Sequence, residues 1–131
     1  MFSHVTVGVR DLARATSFYD GWLKICGWQR MPGLEEPNAT LWTPVGHTGP
    51  LFVACLPFDG EAATSGNGQM VAFEVSARSK VDDAYQYALA NGATDEGGPG
   101  LRPHYHPDYY GAYVRDADGN KICVCCHEPA A

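Results

Sequence analysis

Apolar and polar residues alternate from the start of the chain. His4-Val5-Thr6-Val7-Gly8-Val9 repeats with a period of two, the signature of a strand with one buried face. Asp11 then stands where a helix needs an N-cap, and Leu12, Ala15, Phe18, Tyr19 and Trp22 recur at helical spacing until Gly27. Short extended segments follow: a weak one at Trp28-Gln29-Arg30, then Ala39 to Thr43 and Leu51 to Leu56, with Gly46, Gly49 and Pro50 turning the chain between the last two. Residues 58–68 read as a linker. The same grammar then restarts. Met70 to Val75 predicts a strand. Ser79 is expected to cap a helix through Ala90 that buries Val81, Ala84, Tyr85, Ala88 and Leu89, and Asn91-Gly92 closes it. A short strand is expected near Ala93 to Glu96. Tyr109 to Arg115 and Lys121 to Cys126 predict a hairpin turning at Asp116-Ala117-Asp118-Gly119-Asn120.

Strand, helix and three strands thus occur twice. Aligning His4 with Met70 sets Val5, Val7 and Val9 on Val71, Phe73 and Val75, as two related modules would require. The pattern predicts an α+β fold of two βαβββ modules in one domain spanning residues 1–131. Module one covers about 1–57, the linker about 58–68, and module two about 69–127, with curved sheets forming a cleft. Alternation assigns Val5, Val7, Val9, Phe52, Ala54, Val71, Phe73, Val75, Ile122 and Val124 to the helix-covered faces. His4, Thr6, Val53, Cys55, Met70, Ala72, Glu74, Cys123 and Cys125 fall on the cleft faces. The first set is uniformly apolar and the second is mixed, which suits a ligand cavity.

Composition narrows the function classes. The chain has 131 residues, 45% hydrophobic and 18% charged, enough for one ordinary core. Its net charge of −6 and lack of a basic cluster argue against nucleic acid and anionic membranes as partners. No apolar run reaches the roughly 20 residues of a membrane helix, and no secretory leader is recognisable at the start. Five cysteines, three of them crowded at Cys123, Cys125 and Cys126, fit reduced thiols in the cytoplasm.

The candidate chemistry lies mainly in the second half. Gly97 to Tyr110 gathers Arg102, His104, His106 and Tyr110 between prolines, which restrict the backbone and can hold polar groups in place. It reads as a lid or rim supplying those side chains to the cleft, or alternatively as an exposed loop packed on a partner subunit. His104 and His106 could also share a metal, although no third ligand is evident. Cys123, Cys125 and His127 recur on one strand face. That spacing allows a soft-metal site with His4, a thiol activated by imidazole, or simply small buried apolar residues. Glu74 is the one carboxylate among the cleft positions, and with His4 it is a candidate acid/base pair. Its alternatives are an ion pair with Arg102 or Arg115, or plain exposure. His47, in a glycine-rich turn, is expected to be exposed, and either Trp42 or Thr43 should face the cleft.

His4-Val5 before the Asp11 helix with Phe18-Tyr19, Met70-Val71-Ala72-Phe73, and above all Tyr110-Gly111-Ala112-Tyr113-Val114-Arg115-Asp116-Ala117-Asp118-Gly119-Asn120-Lys121-Ile122 resemble the vicinal-oxygen-chelate superfamily. This group comprises glyoxalases, bleomycin-resistance proteins and extradiol dioxygenases. The resemblance implies a cleft that many members equip with a divalent metal held by His and Glu. The corresponding positions here are His4, Val53, Met70 and Cys123, of which His4 and Cys123 are the only candidate donors. The expectation is therefore a glyoxalase-like protein acting on a small oxygenated molecule without the usual metal site, a divalent metal remaining possible. His4 and Glu74 would be catalytic, and Arg102, His104, His106, Tyr110, Met70 and Cys123 would bind substrate. The alternatives are a bleomycin-resistance-like protein that sequesters a small molecule, or a metal-dependent lyase or dioxygenase with an altered ligand set. A homodimer is expected by the same resemblance.

Overall fold

The computed structural model describes residues 1–34 and 36–130. The chain runs β1 (His4–Gly8), α1 (Leu12–Ile25), β2 (Trp28–Arg30), β3 (Ala39–Pro44), β4 (Leu51–Cys55), β5 (Val71–Glu74), α2 (Arg78–Ala90), β6 (Thr94–Leu101), β7 (Tyr110–Arg115) and β8 (Lys121–Cys126). It is an α+β fold of two βαβββ modules. Sheet one has the order β1-β4-β3-β2 and sheet two the order β5-β8-β7-β6. In each sheet the first strand lies parallel to the last and the remaining pairs are antiparallel. A parallel pair needs a long crossover, and in each module the helix and the intervening strands supply it.

The Asp11 side chain accepts from the Arg14 amide at 3.0 Å and caps α1. α2 begins two residues earlier than Ser79 implies. Ala77 is its N-cap without a side-chain hydrogen bond, and Ser79 lies inside the first turn. The longest departure from expectation is β6, which extends to Leu101 through residues read as loop. Gly97 pairs with Tyr113 and Gly100 with Gly111, with register shifts on either side. These irregularities leave Pro99 outside the regular ladder, where its missing N–H does no harm.

One core joins the modules. Phe73 of β5 packs edge-on against Trp22, Trp28 and Phe52 of module one, with ring centroids 5.3–6.4 Å apart. Tyr87 of α2 donates to the Phe18 carbonyl of α1 at 2.9 Å. The hairpin turn after β7 is bolted to module one as well. Buried Asp116 accepts from the Tyr19 hydroxyl at 2.6 Å, Asp118 accepts from the Arg10 amide at 2.9 Å, and Asn120 donates to the Gly8 carbonyl at 2.8 Å. Burial and its carboxylate neighbours push the Tyr19 phenol well above its ordinary value, so it remains a donor. The helix-covered faces thus share one interior, and the cleft faces point away from it. Among the described residues no strand pairing joins the two sheets, and they are not closed on each other.

Candidate functional site

The cleft face of sheet two forms a small grid fixed by strand register. Ala72 pairs with Cys123 and Glu74 with Cys125 across β5 and β8, while Tyr113 pairs with Cys123 and Gly111 with Cys125 across β7 and β8. The segment between β6 and β7 folds over this grid. Its own backbone ties it down, with the Arg102 amide bonded to the Tyr109 carbonyl at 2.8 Å and the Tyr105 amide to the Arg102 carbonyl at 2.9 Å. Tyr109 lies over the sheet, its hydroxyl 3.0 Å from that of Tyr113 and 3.6 Å from the Cys123 thiol. Cys123 is fully buried as a result and Cys125 nearly so. Gly111 makes room for this arrangement, because a methyl there would come within 2.9 Å of the Tyr109 ring.

Positive charge gathers at Tyr113. The Arg102 guanidinium and the Lys121 ammonium each lie 5.5 Å from its ring centroid. Arg102 is oriented by hydrogen bonds to the carbonyls of Gly98 and Gly100, both 2.8 Å. This environment polarises the thiols. The Cys123 thiol is held below the ordinary value, first by its hydrogen bond with Cys125, against the opposing effect of burial, and further by Tyr109, Tyr113 and Arg102. Cys125 is pushed well above the ordinary value by the same shared bond and by burial. Burial and hydrogen bonds to Tyr113 and Cys123 likewise hold the Tyr109 phenol far above its usual range. The cluster therefore releases its first proton from Cys123 while both phenols stay protonated.

The sequence-predicted residues divide into two groups. Arg102 and Cys123 meet at this cluster. His106 stands at its rim, with Nε2 2.8 Å from Nδ1 of His127, whose Nε2 is in turn 3.8 Å from the Cys125 thiol. His104 is exposed and lies against Tyr105, with ring centroids 4.2 Å apart. His4 is exposed at the start of β1 and hydrogen-bonds Ser3 at 2.9 Å. Glu74 is exposed beside Cys125, and Arg115, one of the cations considered for it, is engaged by Glu96. Met70 is 43% exposed and lines an open cavity of about 400 Å³ between β1 and β5 that Lys121 also borders. Tyr110 lies on the opposite side from the expected one. It shares the helix-covered face with Ala112 and Val114, and its hydroxyl donates to Asp82 of α2 at 2.6 Å beneath the Arg78 guanidinium. That hydrogen bond raises its phenol pKa. Thr43, not Trp42, takes the cleft side of β3, since Trp42 packs with Tyr19 and Phe52. His47 is exposed, as its turn suggested.

Tyr109, Tyr113 and Lys121 belong to the cluster but were not singled out from the sequence. Alternation across the hairpin, carried from Cys123 to its partner, would have found Tyr113. The Tyr109 contact depends on how the covering segment folds back, which no local pattern encodes.

A superfamily-type divalent metal does not fit the donors at the corresponding positions. Val53 offers only carbon, Met70 a thioether and Cys123 a soft thiol, while His4 stands exposed at a strand end. Among the described residues, no group of three or more His, Cys, Asp or Glu side chains is placed to hold a metal ion.

Comparison with known proteins agrees with this architecture. The profile of the Glyoxalase/Bleomycin resistance protein/Dioxygenase superfamily matches residues 1–124. A glyoxalase/bleomycin resistance protein from Albidiferax ferrireducens is 36% identical, with 98% of this chain and 99% of that one covered and a TM-score of 0.82. A glyoxalase/bleomycin resistance protein/dioxygenase family enzyme from Burkholderia phytofirmans is 22% identical over 96% of this chain and 98% of that one, with a TM-score of 0.74. Lactoylglutathione lyase from Agrobacterium tumefaciens shares the fold at 17% identity and a TM-score of 0.63, with 96% and 92% of the two chains covered. No curated protein matches the chain. By its profile match, and by its likeness to the Albidiferax protein, the chain belongs to the Glyoxalase/Bleomycin resistance protein/Dioxygenase superfamily.

Proposed function

We propose that this protein binds and transforms a small oxygenated molecule on the cleft face of sheet two, with chemistry supplied by side chains and not by the superfamily's usual four-donor metal centre. The observation that carries this reading is the cluster in which Tyr109 meets Tyr113 and the Cys123 thiol while Arg102 and Lys121 both lie against the Tyr113 ring. Two phenols that remain protonated can donate to an oxyanion, and two cations attract a carboxylate or enolate. Glu74 stands at the open edge, on the strand that borders Cys125, where an exposed carboxylate can serve as general base. Met70 and Lys121 border the adjoining cavity, which offers room for the rest of the ligand.

The partner reading is part of the same proposal. Strands β1 and β5 each pair on one side only, so each sheet presents an open edge beside the cavity. A second copy of the chain covering those edges would turn two open faces into enclosed clefts. Five unpaired cysteines suit a reducing compartment such as the cytoplasm.

The test combines binding and turnover. Purified untagged protein is titrated calorimetrically with small 2-oxo acids, 2-hydroxy acids and 2-oxoaldehydes, and metal content is measured by elemental analysis. The proposal expects a ligand whose affinity falls on Tyr113→Phe and Arg102→Ala, and whose conversion, but not binding, stops on Glu74→Gln. Near-stoichiometric metal that disappears on His4→Ala would overturn the metal-independent reading. Binding that ignores Tyr113 and Arg102 would remove the site.

A further inference from the structure

The two thiols on the grid have a property that the oxygenated-ligand reading does not use. Cys123 and Cys125 are two residues apart on β8, on the same face of the sheet, and both are buried. Along a strand such residues have Cα atoms about 6.6 Å apart, near the upper limit for a disulfide. An atom placed between the sulfurs relieves that strain, since two bonds of roughly 2.3 Å span the gap with no sulfur–sulfur contact. We propose that Cys123 and Cys125 form a two-thiolate chelating site for a soft, thiophilic centre, either trivalent arsenic or a soft metal ion such as mercury(II) or copper(I), enclosed beneath Tyr109.

Three features select this ligand class. Thiolates prefer soft centres over hard cations, and the surrounding phenols and cations offer no carboxylate cage for calcium, magnesium or manganese. Zinc requires four donors. His127 Nε2 lies 3.8 Å from the Cys125 thiol, but no group of three or more His, Cys, Asp or Glu side chains is placed to hold a metal among the described residues. A two- or three-coordinate soft centre needs nothing further, and a trivalent arsenical brings its own organic substituent as the third ligand. The electrostatics favour loading as well. Cys123 gives up its proton more readily than an ordinary thiol, providing the first bond, and Cys125 closes the ring once its partner is engaged.

The exchange balances without an oxidant or reductant. With an arsonous acid, two As–O bonds break and two S–As bonds form. The two thiol protons leave with the hydroxides as two waters. With mercury(II), two S–Hg bonds form and two protons pass to solvent. Access is from the β5 side, where exposed Ala72 pairs with Cys123 and presents only a methyl group. Tyr109 controls that entry through its hydrogen bonds to Tyr113 and Cys123.

The site lies on the face used in the proposed function, but the chelation does not depend on catalysis there, and the experiment separates the two. Protein reduced and freed of small thiols is mixed with phenylarsine oxide, with mercury(II) chloride and with copper(I) in separate arms, and adducts are counted by native mass spectrometry. The expected result is one adduct per chain in at least one arm, resistant to excess monothiol and released by a dithiol. Apparent affinity should fall roughly 100-fold or more in both Cys123→Ser and Cys125→Ser, because the second bond then loses its high effective concentration. Cys55→Ser, on the other sheet, should bind as the parent does. Cys123→Ala and Cys125→Ala, checked for native circular dichroism, cover the case in which a serine hydroxyl disturbs the buried site. A dithiol-sensitive adduct persisting in these variants would overturn the assignment, as would its absence in every arm from both the parent and the lid-opened Tyr109→Ala. Arsenical binding without any oxygenated ligand would leave this inference standing and remove the earlier one.

Discussion

At the scale of single residues, the site depends on a missing side chain. Gly111 lies in the middle of β7 with ordinary extended backbone, so alanine could occupy it without conformational strain. What forbids a methyl is the Tyr109 ring above it. Gly111→Ala should therefore lift Tyr109 off Cys123 while the sheet survives. The measurement is iodoacetamide labelling of the native protein with peptide mapping. Cys123 labelling should speed up roughly tenfold or more in the variant, and an unchanged rate would show that Tyr109 is not the lid. The pH dependence has a defined sign. Thiolate is the reactive form, and the Cys123 value is depressed, so its labelling in the opened variant should rise at lower pH than that of an ordinary thiol. Cys55, raised by burial, should rise at higher pH than one.

At the scale of elements, the strand alternation and the first helix are legible locally, whereas the Ser79 cap and the burial of Leu89 expected on α2 are not found. The alternation of β1, β4, β5 and β8 assigned every residue named for the helix-covered faces, and Asp11 capped α1 as its position suggested. β6 was obscured because its glycines and Pro99 lack strand propensity, and its pairing rests on bulges that only the partner strand defines. Tyr110 was misplaced because it was read as the end of a loop, when the period of β7 sets it with Ala112 and Val114. Contacts between elements were invisible for the same long-range reason, and Gly21 illustrates it. Inside α1 it looks like a simple propensity defect, and alanine should gain about 1 kcal/mol. In the fold, a methyl there would overlap the ring and hydroxyl of Tyr87 from α2. Gly21→Ala should therefore destabilise the protein by about 1–3 kcal/mol in urea unfolding. In a Tyr87→Ala background the same change should become neutral or stabilising. Additive behaviour in this double-mutant cycle would mean that the helices do not pack through this contact.

At the scale of the molecule, the question is whether the contacts between the two modules make them unfold as one. They share the Phe73 aromatic cluster, the contact between α1 and α2, and the turn that carries Asp116, Asp118 and Asn120. The turn differs from the other two in being polar and buried. Asp116 accepts from the amides of Asp118 and Asn120 within the turn and from Tyr19 in module one, so one carboxylate both shapes the hairpin and docks it. Removing it leaves a buried phenol and two amides without their acceptor, and each unsatisfied donor costs about 1–3 kcal/mol. Asp116→Ala should thus weaken module two and its attachment together, while Asp116→Asn, which keeps one acceptor oxygen, should fall between. The sequence provides separate probes for the halves. Trp22, Trp28 and Trp42 all lie in module one, and Cys123, Cys125 and Cys126 all lie on β8. Tryptophan fluorescence and mass-mapped labelling of the β8 cysteines should give coincident urea transitions in the parent protein, as a single cooperative unit requires. In Asp116→Ala the cysteines should become reactive at lower urea than the tryptophans report. Coincident transitions in that variant would mean that the aromatic core alone couples the modules.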